Sequence, residues 1–142
     1  VYKRQGFVVN DIEKTCRHYE FMFGTGPFSD VIDVDMDGAL LRGNPVKTKI
    51  KVAFVQSGDI HIELIHPVEG ANVYTEFLAE KGEGIHHLAY QVDDLEVMKA
   101  QFAAQGIEPV FSRDMGVMEF AYFDISEVGG LMIEFLYFKD NQ

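Results

Sequence analysis

The sequence predicts an α+β protein in which two β-α-β-β-β units share one cupped, mixed sheet, and three observations predict it. The chain repeats itself: "FVVNDIE" at 7–13 is answered by "YQVDDLE" at 90–96, an offset of 83, and "GDIHIELI" at 58–65 by "GGLMIEFL" at 129–136, an offset of 71. Each copy opens with a strand, a capping signal and a helix, then closes on strands that alternate apolar and polar residues. Neither half is large enough to bury its own sheet. Residues 1–142 are therefore expected to form one domain, with units at about 1–70 and 82–140 joined by a short helical linker.

In the first unit an apolar run ends at Val8 and Val9, and Asn10 with Glu13 makes an N-x-x-E capping signal. The helix "DIEKTCRHYEFMFG" follows, with Gly24 as its exit. "FSDVIDVDMDGALL" reads as a strand and turn. "KIKVAFVQSG" and "DIHIELIHP" read as alternating strands joined tightly at Gly58-Asp59. Residues 71–81 read as the linking helix, with Val73, Phe77 and Leu78 on its apolar side. In the second unit "IHHLAYQV" is a strand, and Asp93 with Glu96 repeats the capping signal. A helix then runs through Leu95, Met98 and Phe102 to Gly106, followed by the strands "IEPVFS", "VMEFAYFDI" and "GGLMIEFLYF". The two offsets make the first unit 12 residues longer, an excess assigned to the Asp30–Lys47 segment.

Composition narrows the partners. A net charge of −11 argues against nucleic acid or an anionic membrane surface, since both require a basic patch. No apolar run reaches the length of a membrane span. Cys16 is the only cysteine, so no intramolecular disulfide can form, and a cytoplasmic setting is expected. Its helical spacing with Ile12, Tyr19 and Phe23 marks it as a small buried hydrophobe.

Strand alternation sorts the polar residues. His61, Glu63 and Ile65 share one face of their strand, while Ile62 and Leu64 turn towards a helix. Met132, Glu134 and Leu136 share the equivalent face in the second unit. In "IHHLAYQV", parity puts His86 with the helix-facing Leu88, Tyr90 and Val92, and puts His87, Ala89 and Gln91 on the face of the glutamates. His87 is thus the candidate for chemistry and His86 for packing. A lone glutamate in an alternating strand usually marks a solvated face. Two at equivalent positions of a repeat, each flanked by bulky apolar residues, mark a shared concave site. Two carboxylates and an imidazole suit a divalent cation such as Mg, Mn, Fe, Co, Ni or Zn, or proton transfer without metal.

The repeat also names a counterpart to His87. The offset of 83 leads to Arg4, whose guanidinium cannot ligate a metal. Gln5 beside it faces the other side. His61 falls at the polar rim of the glutamate face, whereas His66 and His18 are not candidates.

In "VAFVQSGDIHIELIHPVEG", "GEGIHHLAYQVDDLE" and "GGLMIEF" the chain resembles the vicinal oxygen chelate superfamily, which holds glyoxalases, bleomycin-resistance proteins and dioxygenases. These stretches are most similar to methylmalonyl-CoA epimerase-like members, while "VVNDIEKTCRHYEFMFGTGPFS" is nearer to glyoxalase-like proteins. The resemblance implies a glyoxalase-like fold around a metal, with ligands at Glu63, His87 and Glu134, and homodimers. The first-strand ligand of such members falls on Arg4. Two outcomes follow: three protein ligands hold the metal while Arg4 binds a substrate carboxylate or phosphate, or Arg4 itself takes the place of the cation. The leading expectation is a metal-dependent isomerase, epimerase or glyoxalase-type lyase. It would act on a small carbonyl acid or acyl thioester through an enolate, with Glu134 or Glu63 as acid and base and with Arg4, His61 and Gln91 lining the substrate site. The alternative is a metal-free, small-molecule-binding protein of the bleomycin-resistance kind. An extradiol dioxygenase fits less well, because its iron is expected to have a first-strand histidine.

Overall fold

The computed structural model describes residues 3–139, and over this range local chemistry sets the element boundaries. The chain runs through β1 (Lys3–Val8), α1 (Ile12–Phe23), β2 (Ile32–Asp35), β3 (Ala39–Leu41), β4 (Asn44–Val46), β5 (Lys49–Ser57) and β6 (Ile60–Glu69). It continues through α2 (Val73–Lys81), β7 (Gly84–Gln91), α3 (Leu95–Ala103), β8 (Phe111–Asp114), β9 (Met118–Asp124) and β10 (Met132–Phe138). Gly58, at a φ of 60°, makes the tight turn between β5 and β6. Gly24 ends α1 in the left-handed conformation.

The helix caps correct the sequence reading by one residue in both halves. Asp11, not Asn10, caps α1 by accepting the Lys14 N–H at 3.0 Å. Asp94, not Asp93, caps α3 by accepting the Val97 N–H at 3.2 Å. The reason is the same in each copy. The buried anchors Ile12 and Leu95 must be the first helical residues, so the cap is the residue just before them. Asn10 instead donates its backbone N–H to Glu83 Oε1 at 2.7 Å. Asn72 caps α2 by accepting the Thr75 N–H.

The strands form one ten-stranded sheet in the order β2-β5-β6-β1-β7-β10-β9-β8-β3-β4. The extra length of the first half is the β3–β4 hairpin, which leaves its own half and pairs with β8 at the far edge. At its turn Arg42 donates two 2.9 Å hydrogen bonds to the Glu76 carboxylate on α2. At the centre, β1 runs parallel to β6 and β7 parallel to β10, with β1 and β7 antiparallel. The register obeys the repeat offsets residue for residue. Arg4 faces His61 and Gly6 faces Glu63 in one half, while His87 faces Met132 and Ala89 faces Glu134 in the other.

Packing divides the sheet into two sides. On the convex side, Ile12 and Cys16 of α1 bury Ala53, Val55 and Leu64, and Leu95 of α3 buries Phe123 and Phe135. On the concave side, Val8, Ile65, Ala89, Phe120, Tyr122 and Leu136 form a cup into which α2 inserts Val73 and Tyr74. The result is the curled α+β sheet that the sequence predicts.

The caps give a test. Asp11→Ala and Asp94→Ala should each lower the unfolding free energy by about 1 kcal/mol in urea titrations, and Asn10→Ala and Asp93→Ala by far less.

Candidate functional site

Three buried side chains from the two halves meet on the concave face. Glu63 comes from β6, His87 from β7 and Glu134 from β10, and each is under a tenth exposed. His87 Nε2 lies 3.6 Å from Glu63 Oε1 and 3.3 Å from Glu134 Oε1. One ligand atom from each of the three falls within 4.8 Å of the others.

Two backbone features make room for this. Gly6 stands opposite His87 in the β1–β7 ladder, and a Cβ there would overlap the imidazole ring itself. Its repeat counterpart is Ala89, so a small residue occupies this position in both halves. The second feature is a bulge. Gly6 pairs with His87 but Phe7 pairs with Ile85, which leaves His86 as an extra residue on β7.

The bulge overturns the parity assignment of His86. Strict alternation would send it to the convex side with Leu88 and Tyr90. Instead both imidazoles lie on the cup side, where their Nδ1 atoms are 3.0 Å apart. The His86 ring packs against Tyr74 and Phe77 of α2, with centroids 5.3 and 5.0 Å away. It packs against the plug of the cup and not against the helices of the convex side.

Tyr122, Tyr74 and Gly6 join the site without having been singled out from the sequence, where Phe54, Phe120, Tyr122 and Phe123 read mostly as core aromatics, some of them able to stack on a ligand. Tyr122 faces Glu134 across the β9–β10 ladder, its hydroxyl lies 3.4 Å from His87 Nε2, and it shares a 2.7 Å hydrogen bond with the Tyr74 hydroxyl. Parity along "EFAYF", with Phe120 and Tyr122 on one face, was the available signal.

The remaining candidates line the same face. Arg4 Nη1 is 3.5 Å from Glu63 Oε1, and its guanidinium sits 5.1 Å above the Phe54 ring. Phe54 in turn stacks on His61 at 5.2 Å. Gln91 is half-buried one step beyond Ala89, at the register position of Leu136.

Charge sets the protonation states. Burial opposes a proton on His87, but the two glutamates outweigh it and raise the imidazole to about 9. Burial, together with the charge on His87, pushes His86 down to about 3, so it stays neutral. Burial works against ionisation of Glu63, yet His87 and Arg4 hold it below the usual carboxylate range. Burial, aided by the glutamates, drives Tyr74 and Tyr122 well above the usual phenol range, so both remain neutral hydroxyls.

The donor set fits a divalent cation. One imidazole nitrogen and two carboxylates suit hard or borderline metals. Glu134 Oε1 is buried and faces His87 Nε2 at 3.3 Å but makes no hydrogen bond among the described residues, so it keeps a lone pair that a ligated ion would satisfy. Arg4 stands where the repeat would put a fourth donor.

Fold and site define a class: paired β-α-β-β-β units around a buried acid–imidazole–acid cluster at their junction. The family model described as the Glyoxalase/Bleomycin resistance protein/Dioxygenase superfamily matches residues 4–122, and the chain belongs to that superfamily. The superfamily is often metal-dependent. The chain is 29% identical over 97 residues to the uncharacterized protein YqjC of Bacillus subtilis (strain 168), covering 66% of this chain and 69% of that protein. Its fold is similar to methylmalonyl-CoA epimerase from Mycobacterium tuberculosis, with a TM-score of 0.70 at 23% identity over 94% of this chain and 85% of that one. A Streptomyces coelicolor methylmalonyl-CoA epimerase variant in complex with 2-nitronate-propionyl-CoA matches with a TM-score of 0.70 at 16% identity, covering 99% and 95%.

Gly6→Ala should displace the His87 ring and destabilise the protein by about 1–3 kcal/mol. In a His87→Ala background most of that penalty should vanish, a coupling that thermal or urea unfolding of the four-protein cycle measures.

Proposed function

We propose that this protein is an isomerase, epimerase or glyoxalase-type lyase that acts on a small carbonyl acid or acyl thioester. It moves a proton at the carbon beside the carbonyl, through an enolate. The observation that supports this most is the buried Glu63–His87–Glu134 cluster, whose ligand atoms lie within 4.8 Å of one another.

Glu63, His87 and Glu134 are the residues that would hold a divalent cation, whether Mg, Mn, Fe, Co, Ni or Zn. When bound, it would supply electrophilic stabilisation of the enolate's negative charge. Glu134 takes the proton on Oε1, which the imidazole of His87 faces at 3.3 Å. Glu63 shares its charge with Arg4 and is the weaker base. Its pseudo-symmetric position suits it to return a proton on the opposite side of the substrate, as epimerisation requires. His87 anchors and transfers no proton. Arg4 binds a substrate carboxylate or phosphate, and His61 and Gln91 line the rim beside it. The acyl-CoA analogue held by the Streptomyces enzyme supports the thioester class. With this reading go a small-molecule partner, one domain of two modules, a homodimer and a cytoplasmic setting.

The Arg4–Glu63 contact favours a second reading, a metal-free ligand-binding protein in which Arg4 replaces the cation. Two carboxylates then balance one guanidinium and one imidazolium, a neutral cluster.

Protein purified without chelator should carry about one metal ion per chain, lost in His87→Ala. With a branched acyl thioester in D2O, Glu134→Gln should slow exchange of the α-proton on the order of 100-fold or more. Protein that is metal-free, binds the thioester and exchanges nothing contradicts the enzyme and supports the second reading.

A further inference from the structure

We infer that His86 is the positioning residue for His87: its Nδ1 accepts a hydrogen bond from His87 Nδ1–H and so reserves His87 Nε2 for the glutamates. The two Nδ1 atoms are 3.0 Å apart, so one of them carries the proton they share. His87 Nε2 faces two carboxylate oxygens at 3.3 and 3.6 Å. If His87 is an imidazolium between them, its Nδ1 bears a hydrogen. If Nε2 instead ligates a cation, the ring is neutral and its hydrogen is again on Nδ1. In both states His86 Nδ1 is the acceptor.

The remaining geometry agrees. With Nδ1 accepting, the hydrogen of His86 is on Nε2. That atom is buried without a hydrogen-bond partner among the described residues. His86 borders a cavity of about 130 Å³ whose charged lining is Arg42, Glu76, Glu80, Lys81 and Asp124, so acceptors for an Nε2–H and cations stand there together. Tyr74 and Phe77 fix the plane of the ring, and the bulge delivers it to the cup side. A ligating histidine is usually oriented by a carboxylate or a backbone carbonyl. Here a third carboxylate would stand beside Glu63 and Glu134, and a neutral imidazole does the same work without that repulsion.

Only the metal-affinity arm of the test rests on the proposed function; the tautomer arm stands alone. In 15N-labelled protein, long-range 1H–15N correlation should show His87 Nδ1 protonated and His86 Nδ1 as a bare lone-pair nitrogen, with a scalar coupling between the two across the hydrogen bond. A hydrogen on His86 Nδ1 would overturn the inference. Co2+ titration followed by visible absorption should show affinity falling about tenfold or more in His86→Phe. His86→Asn, whose side-chain oxygen falls where the Nδ1 acceptor was, should keep most of it. Wild-type affinity in a folded His86→Phe protein also overturns the inference. If the wild type binds no cobalt, the metal reading fails and the nitrogen signals alone decide the role of His86.

Discussion

Glu63 and Glu134 lie close together at the bottom of a concave face. Each buried charge costs several kcal/mol unless a positive group stands against it. His87 is that group for both, and much of the central architecture can be understood as holding it there. The parallel pairs β1–β6 and β7–β10 set each glutamate beside the middle strands. Gly6 gives the imidazole the volume it occupies, and the bulge at His86 supplies a neighbour for its other nitrogen. Arg4 adds a second positive charge against Glu63. A substitution that removes any one of these leaves a buried carboxylate short of compensation, which is far more costly than losing a surface ion pair.

The two faces of the sheet divide the work. The convex face is ordinary core, closed by α1 and α3 over apolar side chains from both halves. The concave face carries aromatic rings around its charged centre, and α2 seals one end through Tyr74. Tyr74 and Tyr122 both remain protonated, so they offer hydroxyls to the site without adding charge. The β3–β4 hairpin ties this plug down through Arg42 and Glu76. An insertion in one half therefore steadies the junction of both.

Much of this was legible in the sequence because the repeat carries it. Offsets of 83 and 71 link His87 to Arg4 and Glu134 to Glu63, and the ladder register pairs these positions as the offsets require. Alternation placed both glutamates and His87 on one face, since β6 and β10 keep a period of two there. It failed at His86, where one extra residue on β7 shifts the parity and nothing in "GIHHLAY" announces it. The caps were displaced by one residue because Asn10-Asp11 and Asp93-Asp94 each offer two capping side chains, and burial of the next residue decides between them. Tyr122 was hidden among aromatic neighbours: its ring belongs to the core, and its edge-on contact with the His87 ring, 4.9 Å between centroids, joins residues far apart in the chain. The partner of the inserted hairpin was beyond local pattern, because pairing with β8 is a long-range contact.

The central claim is that the glutamates enclose a cation held with His87. Anomalous diffraction from crystals grown with Co2+ tests it most directly. The expected result is one strong peak within coordination distance of Glu63, His87 Nε2 and Glu134, with the Arg4 guanidinium turned away from it. A map without that peak, with Arg4 lying between the two carboxylates, would contradict it.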